Sequence, residues 1–189
     1  PNVLRARKLH PRPTDFTPPA AEPLPISADA TSRVFSPAPA YQVLERAVVT
    51  GQTAVGLMAD TLPPNTDPAD TASVLAPRLI ELCFQTAGVW DIQTTGTMAL
   101  PLGVGSVTAY RQPAEANGRR LYAVVEAIDG GESYNAQVVD EAGNVYVCLL
   151  YTSPSPRDRT RYRMPSSACK QTHTQHQLYL APLYRSNPL

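Results

Sequence analysis

The 189-residue sequence is poor in histidine and cysteine and has no long apolar run. No stretch approaches the roughly 18 uncharged apolar residues that a spanning helix needs, and the N-terminus PNVLRARKLH lacks the apolar core of a signal peptide. The three cysteines, Cys83, Cys148 and Cys169, follow no regular spacing, which speaks against a disulfide framework or a metal knuckle. Cys83 lies in an apolar stretch, as a reduced thiol does, so a reducing, cytoplasmic setting is expected. Gly103-Val104-Gly105 and Asp129-Gly130-Gly131-Glu132 have no helix after them, so they read as turn or bulge glycines rather than phosphate cradles. The chain begins with Pro rather than Met, and it is expected to be a piece of something longer.

A formal net charge of zero hides a division. Residues 1–147 hold 10 Lys and Arg against 15 Asp and Glu, while the remainder holds six basic residues and one acid. The acidic body argues against a nucleic-acid surface. The tail has another peculiarity: CLLYTSPSPRD, Cys148 to Asp158, resembles the translation of a transposase-type sequencing adapter, and RMPSSAC, Arg163 to Cys169, resembles the flow-cell end of that adapter in the same frame. Residues 148–189 are therefore expected to be an artefactual or disordered tail, with Cys148–Tyr151 at most extending the last strand by accident, and a chain cut after Val147 is expected to be no less stable. His173 and His176 fall in this tail and are set aside as an H-x-x-H metal pair.

Nine of the 20 prolines fall within residues 1–40, a density hostile to helix and central strand alike. That segment is expected to be an extended linker running over a domain upstream, with at most a turn of helix at Ser27–Phe35. From Tyr41 the pattern changes to strand: QVLERAVVTG and QTAVGLMAD form a hairpin about Thr50-Gly51-Gln52. One helix is expected, Pro77 to about Trp90, with Pro at an early position where its missing N–H costs nothing. Leu79, Leu82, Cys83, Ala87 and Trp90 make its apolar face, and Ile80 and Phe84 flank that face. Strands follow at about 99–112 and 120–129, then a hairpin SYNAQVVD/NVYV. No βαβ alternation is present, so the expected class is α+β, an antiparallel sheet wrapped around one buried central helix, the hotdog fold.

On that helix the few polar residues Arg78, Glu81 and Gln85 share one stripe. A carboxylate on a largely apolar, sheet-wrapped helix should have its pKa raised by desolvation, which suits a general acid, and Gln85 one turn on can hold its rotamer. The alternative is a solvent-facing stripe in which Glu81 pairs with Arg78 at little energetic value. The residues by themselves leave both open. Trp90 and Tyr122 could line a tunnel, although core packing is the simpler reading.

The segment APAYQVLERA, Ala38 to Ala47, resembles an element near the start of the second hotdog in the dehydratase domains of modular polyketide synthases. APRLIELCFQ, Ala76 to Gln85, resembles the helix of the same family that carries its catalytic acid. The resemblance implies that residues 41–147 are a truncated C-terminal hotdog of a double-hotdog dehydratase. It implies catalytic roles for Glu81, where the family has Asp, and for Gln85, and substrate contacts for Tyr41, Gln42, Pro77 and Leu79. Pro37-Ala38 and Ala76 depart from the family pattern. The implied reaction is elimination of water from a 3-hydroxyacyl chain on the phosphopantetheine of an acyl carrier protein, with no metal or redox cofactor. The base would be a His of the N-terminal hotdog half, and the lone upstream His10 lies in the linker, so the chain is expected to be an inactive half-site. A homodimer through the uncovered face is also expected. The other readings are a non-catalytic hotdog serving assembly or carrier docking, and half of a product-template-type cyclase.

Overall fold

The computed structural model describes residues 14, 16–18, 26–27, 38–69, 71 and 73–153. The elements are β1 (Ile26–Ser27), β2 (Leu44–Thr50), β3 (Thr53–Met58), α1 (Pro77–Thr95), β4 (Gly103–Ala109), β5 (Leu121–Ile128), β6 (Ser133–Asp140) and β7 (Val145–Thr152), with short 3-10 turns at Pro39–Tyr41 and Pro113–Ala116. Six long strands and the two-residue β1 make one antiparallel sheet in the order β1-β2-β3-β5-β6-β7-β4. The sheet curls around α1, which is the hotdog arrangement expected.

Alternation along the strands explains the curl. In β5, Leu121, Ala123, Val125 and Ala127 are buried toward the helix while Tyr122, Val124 and Glu126 face outward. Small inward residues on the central strand let the helix sit close. The closest approach is at Gly56 of β3, where an added Cβ would collide with Thr86 Oγ1 and lie 2.6 Å from Leu44 Cδ1. Thr86 itself is fully buried and donates its hydroxyl to the Leu82 carbonyl at 2.7 Å. The predicted apolar face, Leu79, Leu82, Cys83, Ala87 and Trp90, is all in the core, with Ile80 and Phe84 partly buried against it. The helix runs five residues beyond the expected Trp90 and stops at Gly96, in the left-handed conformation with φ 73° and its N–H on the Ile92 carbonyl. The polar run DIQTT disguised its last turn.

Trp90 is a core residue whose Nε1 donates to the Gly51 carbonyl at 2.9 Å, as the packing reading expects. Tyr122 is half-buried on the outer face of the sheet with its ring 5.5 Å from that of Phe16. Gly105 marks a β-bulge, since the β4–β7 register shifts between Val104 and Ser106.

Two expectations need correction. The linker does not run solely over something upstream. Thr14 donates its N–H to the Gly143 carbonyl at 3.0 Å, Phe16 meets Tyr122, and Ile26 pairs with Ala47 on the edge of β2, so at these three points it lies on this domain. Ser27, expected in a helical turn, is strand, and the rest of Ser27–Phe35 lies outside the described residues.

The second correction concerns β7, which does not stop at Val147. Residues 148–152 pair with β6 on one side and β4 on the other, and Leu149 and Tyr151 are buried. Tyr151 stacks on Tyr134 at 5.0 Å and meets Phe84 edge-on at 4.9 Å. A cut after Val147 would strip β4 of most of its partners and remove the buried Leu149 and Tyr151, so a loss of stability is expected there. The origin of the tail is a separate matter from this pairing. Residues 154–189, with His173 and His176, lie outside the described residues, as does His10.

Candidate active site

The first half of α1 carries a stripe that is short of full burial. Pro77, Ile80, Glu81 and Phe84 are half-buried at i, i+3, i+4 and i+7. One carboxyl therefore sits on an otherwise apolar strip. It is reached by Gln85, which is 2% exposed and has its amide fully engaged. Gln85 Nε2 donates to Glu81 Oε1 at 2.8 Å and to the Tyr41 carbonyl at 2.7 Å, while Gln85 Oε1 accepts the Leu44 N–H at 3.2 Å. With the amide locked on the Tyr41 and Leu44 backbone, Gln85 can meet Glu81 only as a donor, through one fixed hydrogen. Among the described residues no hydrogen bond reaches Glu81 Oε2, which leaves that oxygen for a proton or an incoming group.

The structure thus brings together Glu81, Gln85 and the backbone of Tyr41. Tyr41 is half-buried and enters through its carbonyl rather than its ring, and Gln42 is exposed. Pro77 opens the helix beside the strip, and Leu79 is buried on the opposite, core side. The expected competing pair with Arg78 is replaced by something else: Arg78 Nε donates to the Ala40 carbonyl at 3.1 Å and Nη2 donates to the Pro63 carbonyl. Glu81 is half-buried rather than enclosed.

A second acid on the same helix went unnoticed in the sequence. Asp91 is 1% exposed, accepts the Tyr134 hydroxyl at 2.7 Å on Oδ1 and receives the Ala99 N–H at 3.3 Å on Oδ2. It pins the loop after α1 to β6 and has no open side. A third, Asp140, is fully buried in the β6–β7 hairpin. Burial pushes its pKa up, but hydrogen bonds from Asn144, Arg119 and the Ala142 amide outweigh that and leave it below the usual carboxylate range. Cys83 is enclosed, and burial pushes its thiol up, first of all by desolvation, as fits a packing residue. Among the described residues no group of three or more His, Cys, Asp or Glu is placed to hold a metal.

An antiparallel sheet wrapped about one helix is a hotdog-fold domain. The sequence profile described as PS-DH, polyketide synthase dehydratase N-terminal domain, matches residues 16–149. The chain belongs to the polyketide synthase dehydratase family. No curated protein matches it. Among solved structures, the dehydratase domain from the CurF module of the curacin polyketide synthase superposes with a TM-score of 0.55 at 22% identity, over 69% of this chain and 48% of that one. The dehydratase domain of MlnD from Bacillus amyloliquefaciens gives a TM-score of 0.55 at 16% identity, over 79% and 55%. An inactive mutant of the CurK dehydratase, with an Asp replaced by Asn, gives 0.51 at 21% identity, over 69% and 48%. The chain spans about half the length of the solved structures it matches. Among the described residues no helix is long and apolar enough to cross a membrane.

Proposed function

We propose that this chain is the acid-bearing, C-terminal half of a dehydratase that converts a 3-hydroxyacyl carrier-protein thioester into an enoyl thioester, in the cytoplasm and without a cofactor of its own. The observation that carries the reading is the Gln85–Glu81 hydrogen bond of 2.8 Å on a half-open apolar strip. The matching profile is described by an N-terminal domain, yet residues 11–172 contain no histidine, and the chemistry-bearing side chain present is an acid. That favours the C-terminal half. Inactivity of the CurK variant lacking an Asp supports the need for an acid in such domains.

In the proposed step a base from the other half takes the α-proton, the C–H electrons form the double bond, and the C–O bond breaks. Glu81 delivers its proton to the departing hydroxyl, which leaves as water. Gln85 donating to Oε1 favours the proton on Oε2, the oxygen that faces the open strip. The acyl chain would lie along Ile80 and Phe84. The complementary half would cover the exposed apolar patch formed by Leu102 just before β4, Val104 of β4 and Leu150 of β7. Covering the strip would also desolvate Glu81.

The test supplies the complementary half with a 3-hydroxyacyl carrier-protein thioester and follows enoyl formation. Glu81→Gln keeps size and hydrogen bonding but cannot give a proton, so the rate should fall by about 10²–10⁴-fold. Gln85→Ala should cost less. Full activity in Glu81→Gln would overturn the catalytic reading in favour of a carrier-docking or assembly role.

A further inference from the structure

Glu81 is bracketed on α1 by Arg78 and Gln85, and both reach across to the same piece of backbone. Gln85 holds the Tyr41 carbonyl and Arg78 Nε holds that of Ala40, the last two residues of the Pro39–Tyr41 turn. The other arm of the Arg78 guanidinium takes the carbonyl of Pro63, in the loop between β3 and α1. Pro39, Pro63 and Pro64 have no N–H, so these segments cannot be secured by ordinary backbone ladders and expose carbonyls as their handles. A planar guanidinium with donors on separate nitrogens can hold two carbonyls at a fixed spacing, which an ammonium cannot.

We propose that Arg78 is a positioning residue of the Glu81 site: it fixes the Pro39–Tyr41 turn and the Pro63 loop over the first turn of α1, and so sets the walls between which a substrate meets Glu81. This rests on the reading of Glu81 as the acid. The engagement has a second consequence. At i, i+3 on a helix an Arg and a Glu are close enough to pair. By committing the guanidinium to carbonyls the fold leaves Gln85 as the hydrogen-bond partner of Glu81.

The test uses the full chain and compares wild type with Arg78→Ala and Arg78→Lys by amide hydrogen exchange. The Tyr41 N–H, bonded to the Ala38 carbonyl, and the Leu44 N–H, bonded to Gln85 Oε1, report the turn. In Arg78→Ala both should exchange about tenfold faster or more, while amides of β5 and β6 keep wild-type protection and show that the chain is folded. Arg78→Lys restores charge without the fork and should recover only part of the protection. Unchanged exchange at Tyr41 and Leu44 in Arg78→Ala, or complete recovery by Lys, overturns the proposal. If Arg78→Ala is insoluble, Arg78→Gln gives the same comparison. With the complementary half supplied, Arg78→Ala should lower kcat more than Arg78→Lys does. An inactive wild type with the expected exchange pattern would instead sink the dehydratase reading and leave the clamp in place.

Discussion

The two halves of α1 carry the same kind of residue to opposite ends. In the second half, Thr86 to Asp91 are all buried, and the polar atoms there are matched inside the domain: Thr86 to Leu82, Trp90 to Gly51, Asp91 to Tyr134 and Ala99. In the first half the polar groups reach outward to the backbone of the neighbouring loops, and the acid among them keeps one oxygen open. Asp91 is the more deeply buried acid, yet it is Glu81 that can act on a ligand. Burial marks an acid as costly; access decides whether the cost can serve chemistry.

The strongest way to break this contrast is to remove what ties both halves together. Tyr151 touches Phe84 at the open half and Tyr134 at the closed half, and residues 148–152 supply most of the β7 partners of β4. A chain ending at Val147 should lose cooperative thermal unfolding, and circular dichroism melts check this. Retention of the full-length Tm would show that the closed half stands without β7.

Next in size is Gly56→Ala. The new methyl has no room against Thr86 and Leu44, and overpacking of this kind costs about 1–3 kcal/mol, read as a lower urea midpoint at unchanged slope. An Ala of equal stability would mean that the helix can move off β3 freely.

Paired single changes sharpen the comparison directly. Tyr134→Phe leaves a buried Asp91 oxygen without its hydroxyl donor and should cost about 1–3 kcal/mol. Glu81→Gln on the half-open strip should alter stability by no more than about 0.5 kcal/mol. Equal losses for the two would erase the distinction between a structural and an available acid.

The smallest effect is read in acid. Asp140 has a depressed pKa in the folded chain, so its contribution is fully present above the unfolded carboxylate value near ~3.9 and is lost as pH falls through the lower folded value. Asp140→Asn should therefore flatten the fall of Tm below about pH 4 relative to wild type. A parallel fall in both proteins would assign the acid sensitivity elsewhere.

Local rules in the sequence determined the strand pairs, the helix start at Pro77, the core stripe and the bulge glycines, because period, β-branching and the special backbone of Pro and Gly act over a few residues. They also placed Glu81 and Gln85 on one side of the helix one turn apart, which made their contact legible. Tertiary structure alone decided the rest. Whether Arg78 would turn to Glu81 or to Ala40 and Pro63 depended on loops 15 and 38 residues away. That Leu149 and Tyr151 belong to the core depended on β4, β6 and Phe84 meeting in space. Asp91 passed as an ordinary polar residue near a helix end because its partner Tyr134 lies 43 residues on. Periodicity places a side chain on a face of its own element, but only the packing of several elements determines what that face meets.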